Sequence, residues 1–150
     1  MDYPEITASL LALTQGETDA ISLMATVVCE IHNAHPFADW TGFYRVTAPE
    51  ILKIGPYQGG HGCLVIPFSR GVCGACARTG QVQNVPDVEV FADHIACAAS
   101  TKSELVLPVW NGKGRLLGVL DIDSNTPAAF TKADEAWLVP LLAGIFERAE

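Results

Sequence analysis

Basic residues are scarce in this chain, and charge of either sign is sparse: nine Lys and Arg stand against 17 Asp and Glu, and charged residues make up 17% of its 150 positions. A formal net charge of -8 argues against nucleic acid or an anionic membrane as partner, because both reward basic patches. Long apolar runs are missing too. The opening Met1-Asp2-Tyr3-Pro4-Glu5 lacks the basic segment and apolar stretch of a secretory signal, and no later run approaches the length of a membrane span. The expected setting is therefore the cytoplasm. No internal repeat or low-complexity tract appears. What is abundant is apolar: 49% of residues are hydrophobic, so much of the chain must lie inside, and its length suits a single domain spanning 1–150.

Hydrophobic spacing predicts helices at both ends and strands between them. Ile6, Leu10, Leu11 and Leu13 sit at roughly helical steps before Gln15-Gly16 breaks the pattern. A second helix follows, capped by Thr18 or Asp19, with Ile21, Met24, Val28 and Ile31 as its apolar stripe and Cys29 beside it as a buried small residue. Residues 39–46 read as a strand with Trp40, Gly42 and Tyr44 on one face and Phe43 on the other. The glycine between two large rings predicts an aromatic-walled hollow. Residues 51–55 form the returning strand, 64–67 and 81–85 two short ones, and 72–79 a short helix with Gly80 as its C-terminal cap.

Residues 104–109 and 116–123 pair across the turn Asn111-Gly112-Lys113-Gly114, placing Val119, Asp121 and Asp123 on one face and Leu116, Gly118, Leu120 and Ile122 on the other. Thr131 and Asp134 form a capping box for a last helix with Leu138, Leu141, Leu142 and Ile145 inward. Pro140 predicts a kink or a break in it. The class is α+β, with a mostly antiparallel central sheet flanked by N- and C-terminal helices.

Four of the five cysteines, Cys63, Cys73, Cys76 and Cys97, fall between His61 and Glu104. Thiols concentrated this way without an export signal point to redox chemistry or a metal before they point to structural staples. Cys63 follows Gly59-Gly60-His61-Gly62, a segment too rich in glycine for regular structure and expected to move. Cys73 precedes a helix whose unpaired amides can stabilise a thiolate, so on local grounds it rivals Cys97 as a nucleophile. If the last two strands pair, Glu104, Asp121 and Asp123 converge, and crowding like charges raises at least one pKa. No role is assigned to His61 or His94.

The segments Gly71-Val72-Cys73-Gly74, His94-Ile95-Ala96-Cys97 and Ser103-Glu104 resemble the free methionine-(R)-sulfoxide reductases, a family built on the GAF domain. Trp40-Thr41-Gly42-Phe43-Tyr44, Gly55-Pro56-Tyr57-Gln58-Gly59 and Val119-Leu120-Asp121-Ile122-Asp123-Ser124 agree with it, so the resemblance covers the chain from about residue 15 onward. It implies Cys97 as the nucleophile that takes the sulfoxide oxygen as a sulfenic acid, and Cys63 and Cys73 as thiols that resolve it to a disulfide. Which of the two resolves first stays open. The resemblance further implies Glu104, Asp121 and Asp123 as proton donor and ammonium site, and Trp40 and Tyr44 as pocket walls. Neither cofactor nor metal is expected. A thioredoxin-like reductant would recycle the disulfide, and a homodimer is compatible with this reading.

Two departures stand out: Cys76 adds a Cys-x-x-Cys with Cys73, and Ala98 follows Cys97 where relatives often carry an acid. Two other readings compete. A ligand-sensing GAF module would bind a small molecule without reacting further, but such modules usually adjoin an output domain for which this chain has no room. Zinc held by Cys63, Cys73, Cys76 and Cys97 lacks a second Cys-x-x-Cys at finger spacing.

Overall fold

Apolar alternation along the strands produces one sheet with two unlike faces. The computed structural model describes residues 1–91, 94–95 and 97–150. Strands β1 (Trp40–Ala48), β2 (Ile51–Gln58), β3 (Val65–Pro67), β4 (Gln83–Val85), β5 (Ser103–Trp110) and β6 (Leu116–Ser124) pair antiparallel throughout, in the order β3-β2-β1-β6-β5-β4. Helices α1 (Tyr3–Leu13), α2 (Ala20–Ala34) and α4 (Lys132–Ile145) come from the two ends of the chain, and α3 (Gly71–Thr79) from its middle. The fold is α+β, as the spacing predicts.

Phe43, Leu105, Leu107, Leu120 and Ile122 face one way, into a core closed by Leu10 of α1, Leu23, Met24, Val27, Val28 and Ile31 of α2, and Leu138, Leu141 and Leu142 of α4. Trp40, Tyr44, Leu52, Val106 and Val119 face the other way, against Val72, Cys73, Cys76 and Ala77 of α3. Among the described residues, Val88, Phe91 and Ile95 join α3 in covering this second face, and a pocket lies beside them.

The caps follow the sequence. The Asp19 side chain accepts from the Ser22 amide at 2.9 Å, Thr131 and Asp134 complete the capping box, and Gly80 closes α3 in the left-handed region at φ 69°. Several expectations change. Ile21 is 44% exposed, because the buried stripe of α2 runs through Leu23 and Val27 instead. Cys29 is half-buried, with the Asn33 side-chain amide 3.7 Å from its sulfur, so it is not a core residue.

Leu116 packs on the α3 side, opposite to its simple alternation, because Val109 pairs with Gly118 and Trp110 with Leu116. That bulge inserts Leu117 as an extra residue and turns it into the larger core instead. Finally, α4 runs through Pro140 without a break. Pro140 and Ala136, whose carbonyl loses its helical partner, both lie exposed, so water can take the missing bond. Strand β2 also outlasts its expected end at Gly55. Its pairing with β1 slips between Gly42 and Tyr44, and Pro56 sits in that irregularity, where no ladder amide is required.

Candidate active site

Strand register builds the site. Asp123 lies between Trp40 on β1 and Glu104 on β5, and Asp121, two residues along, lies between Gly42 and Val106. Two-residue periodicity points Trp40, Glu104, Asp121 and Asp123 to the face under α3. The expected convergence of the three carboxyls is what the pairing produces, and it occurs inside the protein. Glu104 is 6% exposed and Asp121 5%. Helix α3 lowers Cys73 onto them, its sulfur 3.3 Å from Asp121 Oδ2 and 3.9 Å from Glu104 Oε1.

Burial dominates the electrostatics. It raises the Glu104 pKa from an ordinary 4.5 to about 8, with Asp123 adding repulsion. Asp121 and Asp123 are likewise pushed well above the carboxylate range, by burial first and then by their neighbours' charge. Asp121 Oδ1 and Asp123 Oδ1 have no protein partner although both are buried. Buried oxygens without donors favour a shared pool of protons or a cationic ligand.

The same environment reverses the local argument for Cys73. It does sit in the first turn of α3, but burial and the charges of Asp121 and Glu104 push its thiol well up, outweighing any help from helix amides. Cys76, fully buried one turn on, is raised too.

Aromatic side chains close one side. The Trp40 indole stacks between Tyr57, at 5.5 Å, and Tyr44, at 5.9 Å. It lies over Gly42, where a Cβ would collide with its ring, so the hollow expected at this glycine is filled by the neighbouring indole. The Trp40 Nε1–H donates to the Gly60 carbonyl at 2.7 Å, pinning the glycine-rich segment beside the pocket. A Cβ at Gly62 would stand 3.0 Å from both Trp40 and Tyr44, so any other residue would push on those rings.

That segment delivers Cys63 to Cys97. The two are joined in a disulfide with Cα atoms 5.4 Å apart, while Cys29, Cys73 and Cys76 are free thiols. A pocket lies beside this disulfide. Cys97, Cys73, Glu104, Asp121, Asp123, Trp40 and Tyr44 all line it. Ala96 of the His-Ile-Ala-Cys motif lies outside the described residues.

The four-thiolate zinc alternative finds two of its ligands bonded to each other. Among the described residues, Cys73, Glu104 and Asp121 bring donor atoms within 4.8 Å of one another, but they do so as the floor of this pocket. Sequence reasoning passed over His94 and Thr101, which also line it. His94 Nε2 is 3.6 Å from Glu104 Oε2, and burial lowers the His94 pKa, so the neutral ring caps the acid. A lone histidine three residues before a cysteine carries no spacing signal that could have identified it.

The comparisons with known proteins agree with this geometry. A GAF domain model matches residues 3–146. The chain is 40% identical over 141 residues to the free methionine-R-sulfoxide reductase of Escherichia coli, covering 94% of this chain and 84% of that one. It is 38% identical over 154 residues to the enzyme of the same name from Saccharomyces cerevisiae, with the same coverage of 94% and 84%. The structure of the Neisseria meningitidis free methionine-R-sulfoxide reductase, solved in complex with its substrate, superposes with a TM-score of 0.90 at 36% identity, covering 97% of this chain and 86% of that one. This chain belongs to the GAF-domain family of free methionine-R-sulfoxide reductases.

Proposed function

We propose that this protein reduces free L-methionine-(R)-sulfoxide to L-methionine through the thiols of Cys97 and Cys63. The observation that carries this reading is the Cys63–Cys97 disulfide lying beside a pocket floored by three buried carboxyls. The substrates of the similar enzymes support it.

In the reduced protein the Cys97 thiolate attacks the sulfoxide sulfur while a protonated carboxyl hands its proton to the leaving oxygen. Methionine departs and Cys97 is left as a sulfenic acid. The Cys63 thiol then attacks that sulfur, water leaves, and the disulfide forms. Glu104, whose pKa of about 8 keeps it protonated at neutral pH, is the proton donor in this scheme. Asp121 and Asp123 take the substrate ammonium, which supplies donors to their unpartnered oxygens. The rings of Trp40 and Tyr44 wall the thioether end. A thioredoxin-like dithiol reduces the disulfide to complete the cycle.

The glycine-rich segment opens to admit substrate and closes as Cys63 meets Cys97. Pocket chemistry favours a free amino acid, because an ammonium held by Asp121 and Asp123 leaves no path for a chain continuing on its nitrogen. The test offers each diastereomer of free methionine sulfoxide, and a peptide-bound sulfoxide, to the enzyme with a dithiol supply. Methionine should form from the (R) form, with little from the (S) form or the peptide. Equal rates on both diastereomers would refute the proposal.

A further inference from the structure

We propose that Cys73 and Cys76 form a second, internal dithiol–disulfide couple that re-reduces the Cys63–Cys97 disulfide once, so that a fully reduced chain turns over two sulfoxides before it needs an outside reductant. This rests on the reductase reading above, which uses Cys97 and Cys63 and leaves Cys76 without a task.

Both Cys73 and Cys76 are free thiols, 3% and 0% exposed, three residues apart on α3. An α-helix with a 1.5 Å rise and a 2.3 Å radius separates Cα atoms at that spacing by about 5 Å, inside the roughly 4.4–6.8 Å span of disulfides. Side chains three apart diverge slightly on an α-helix and eclipse when the turn tightens to 3₁₀. Cys73 lies where such tightening is least costly. Gly71, two residues before it, has φ +72° and stands outside helical geometry, so Cys73 belongs to the first turn, whose amides have no intrahelical partner to lose.

Access to the first disulfide is also in place. Cys73 and Cys97 line the same pocket, and Cys63 packs against the cluster that contains Cys73 and Cys76. Asp121 Oδ2, 3.3 Å from the Cys73 sulfur, is positioned to take its proton.

The exchange balances within the chain. Cys73 passes its proton to Asp121 and attacks the Cys97 sulfur. The Cys63–Cys97 bond breaks, a Cys73–Cys97 bond forms, and Cys63 leaves as a thiolate. Cys76 then loses its proton and attacks the Cys73 sulfur, forming Cys73–Cys76 and releasing the Cys97 thiolate. Two electrons have passed from the inner pair to the outer one, and the two protons given up by Cys73 and Cys76 are regained by Cys63 and Cys97. A second sulfoxide can now be reduced. Because burial and the carboxyls hold the Cys73 thiol up, the second methionine should follow the first as a slower phase.

The experiment mixes fully reduced, reductant-free enzyme with excess free methionine-(R)-sulfoxide, then alkylates it and maps the peptides. Two methionines per chain are expected, in two phases, with Cys29 the single alkylated cysteine and a Cys73–Cys76 link in the map. Cys76→Ala should stop at one methionine yet still cycle with added dithiothreitol. One methionine per wild-type chain, with Cys29, Cys73 and Cys76 all alkylated, would overturn the inner couple and leave the reductase reading standing. A second methionine with Cys76 still alkylated overturns the couple as well. No methionine at all overturns both. Should Cys76→Ala fail to fold, the wild-type stoichiometry and peptide map decide the matter alone.

Discussion

Two groups of buried acid stand out among the described residues, and they are built in opposite ways. Asp134, 3% exposed at the start of α4, is surrounded by donors: Tyr3 Oη at 2.8 Å, the Thr131 amide at 2.9 Å and His35 Nε2 at 3.4 Å. The Phe37 amide donates to His35 Nδ1, which leaves the hydrogen on Nε2 pointing at Asp134. Burial alone would raise the Asp134 pKa, but these bonds, led by that of His35, outweigh it and hold the group at about 2. Glu104, Asp121 and Asp123 are buried too, but chiefly against one another and a thiol, and burial and repulsion raise them. Burial therefore does not decide what an acid does. The supply of donors does, and a cluster starved of them stores proton affinity that a substrate can use.

The sharpest way to test the contrast is to remove one acid from each site. Glu104→Gln keeps the shape of the pocket floor but cannot give up a proton, so kcat/KM should fall by about 10²–10⁴-fold, the usual range for a general acid. Its melting temperature should hold or rise, since glutamine is neutral in the pocket without having to take up a proton on folding. Asp134→Asn should do the reverse. Losing the charged partner of a cap and of two further donors should cost roughly 1–3 kcal/mol in denaturant unfolding, with kcat/KM per folded molecule unchanged. If Glu104→Gln instead destabilises as much as Asp134→Asn while sparing the rate, the catalytic assignment fails.

Stability should respond to pH with opposite signs at the two sites. The folded pKa of Glu104 lies above its ordinary value, so its contribution is complete below about 4.5 and lost as pH rises to about 8. For Asp134 the folded value is depressed. Its contribution is complete above about 3.8 and lost as pH falls toward 2. Melting curves between about pH 5 and pH 8 should therefore show a decline that Glu104→Gln flattens and Asp134→Asn leaves in place. The rate with wild-type enzyme should drop over the same upper range as Glu104 loses its proton. The smallest expected effect is that of Tyr3→Phe, which deletes one donor to Asp134 and should cost about 0.5–1.5 kcal/mol with no change in rate.

Much of this protein could be read before folding was considered. The caps at Asp19, Gly80 and Thr131 are local hydrogen-bond problems, solved within a few residues by the side chains the sequence supplies. The two faces of β1 follow from a period of two, and the pairing of β5 with β6 from the turn between them, whereas the one-residue bulge at Leu117 moves Glu104 from opposite Ile122 to opposite Asp123. The resemblance to the family, carried by short motifs, singled out Cys63 and Cys97, which the structure joins in a disulfide. Tertiary structure decided what depends on residues distant in the chain. The bulge at Leu117 turned Leu116 to the other face, because pairing between strands, and not alternation within one, fixes where a side chain ends. Solvent around Ala136 and Pro140 let α4 continue, where the local rule about proline allowed either a kink or a break. The state of Cys73 changed most. A helix start favours its thiolate, but the sheet beneath buries it with acids 31 and 48 positions away, and burial first, then their charge, outweighs a few amide dipoles.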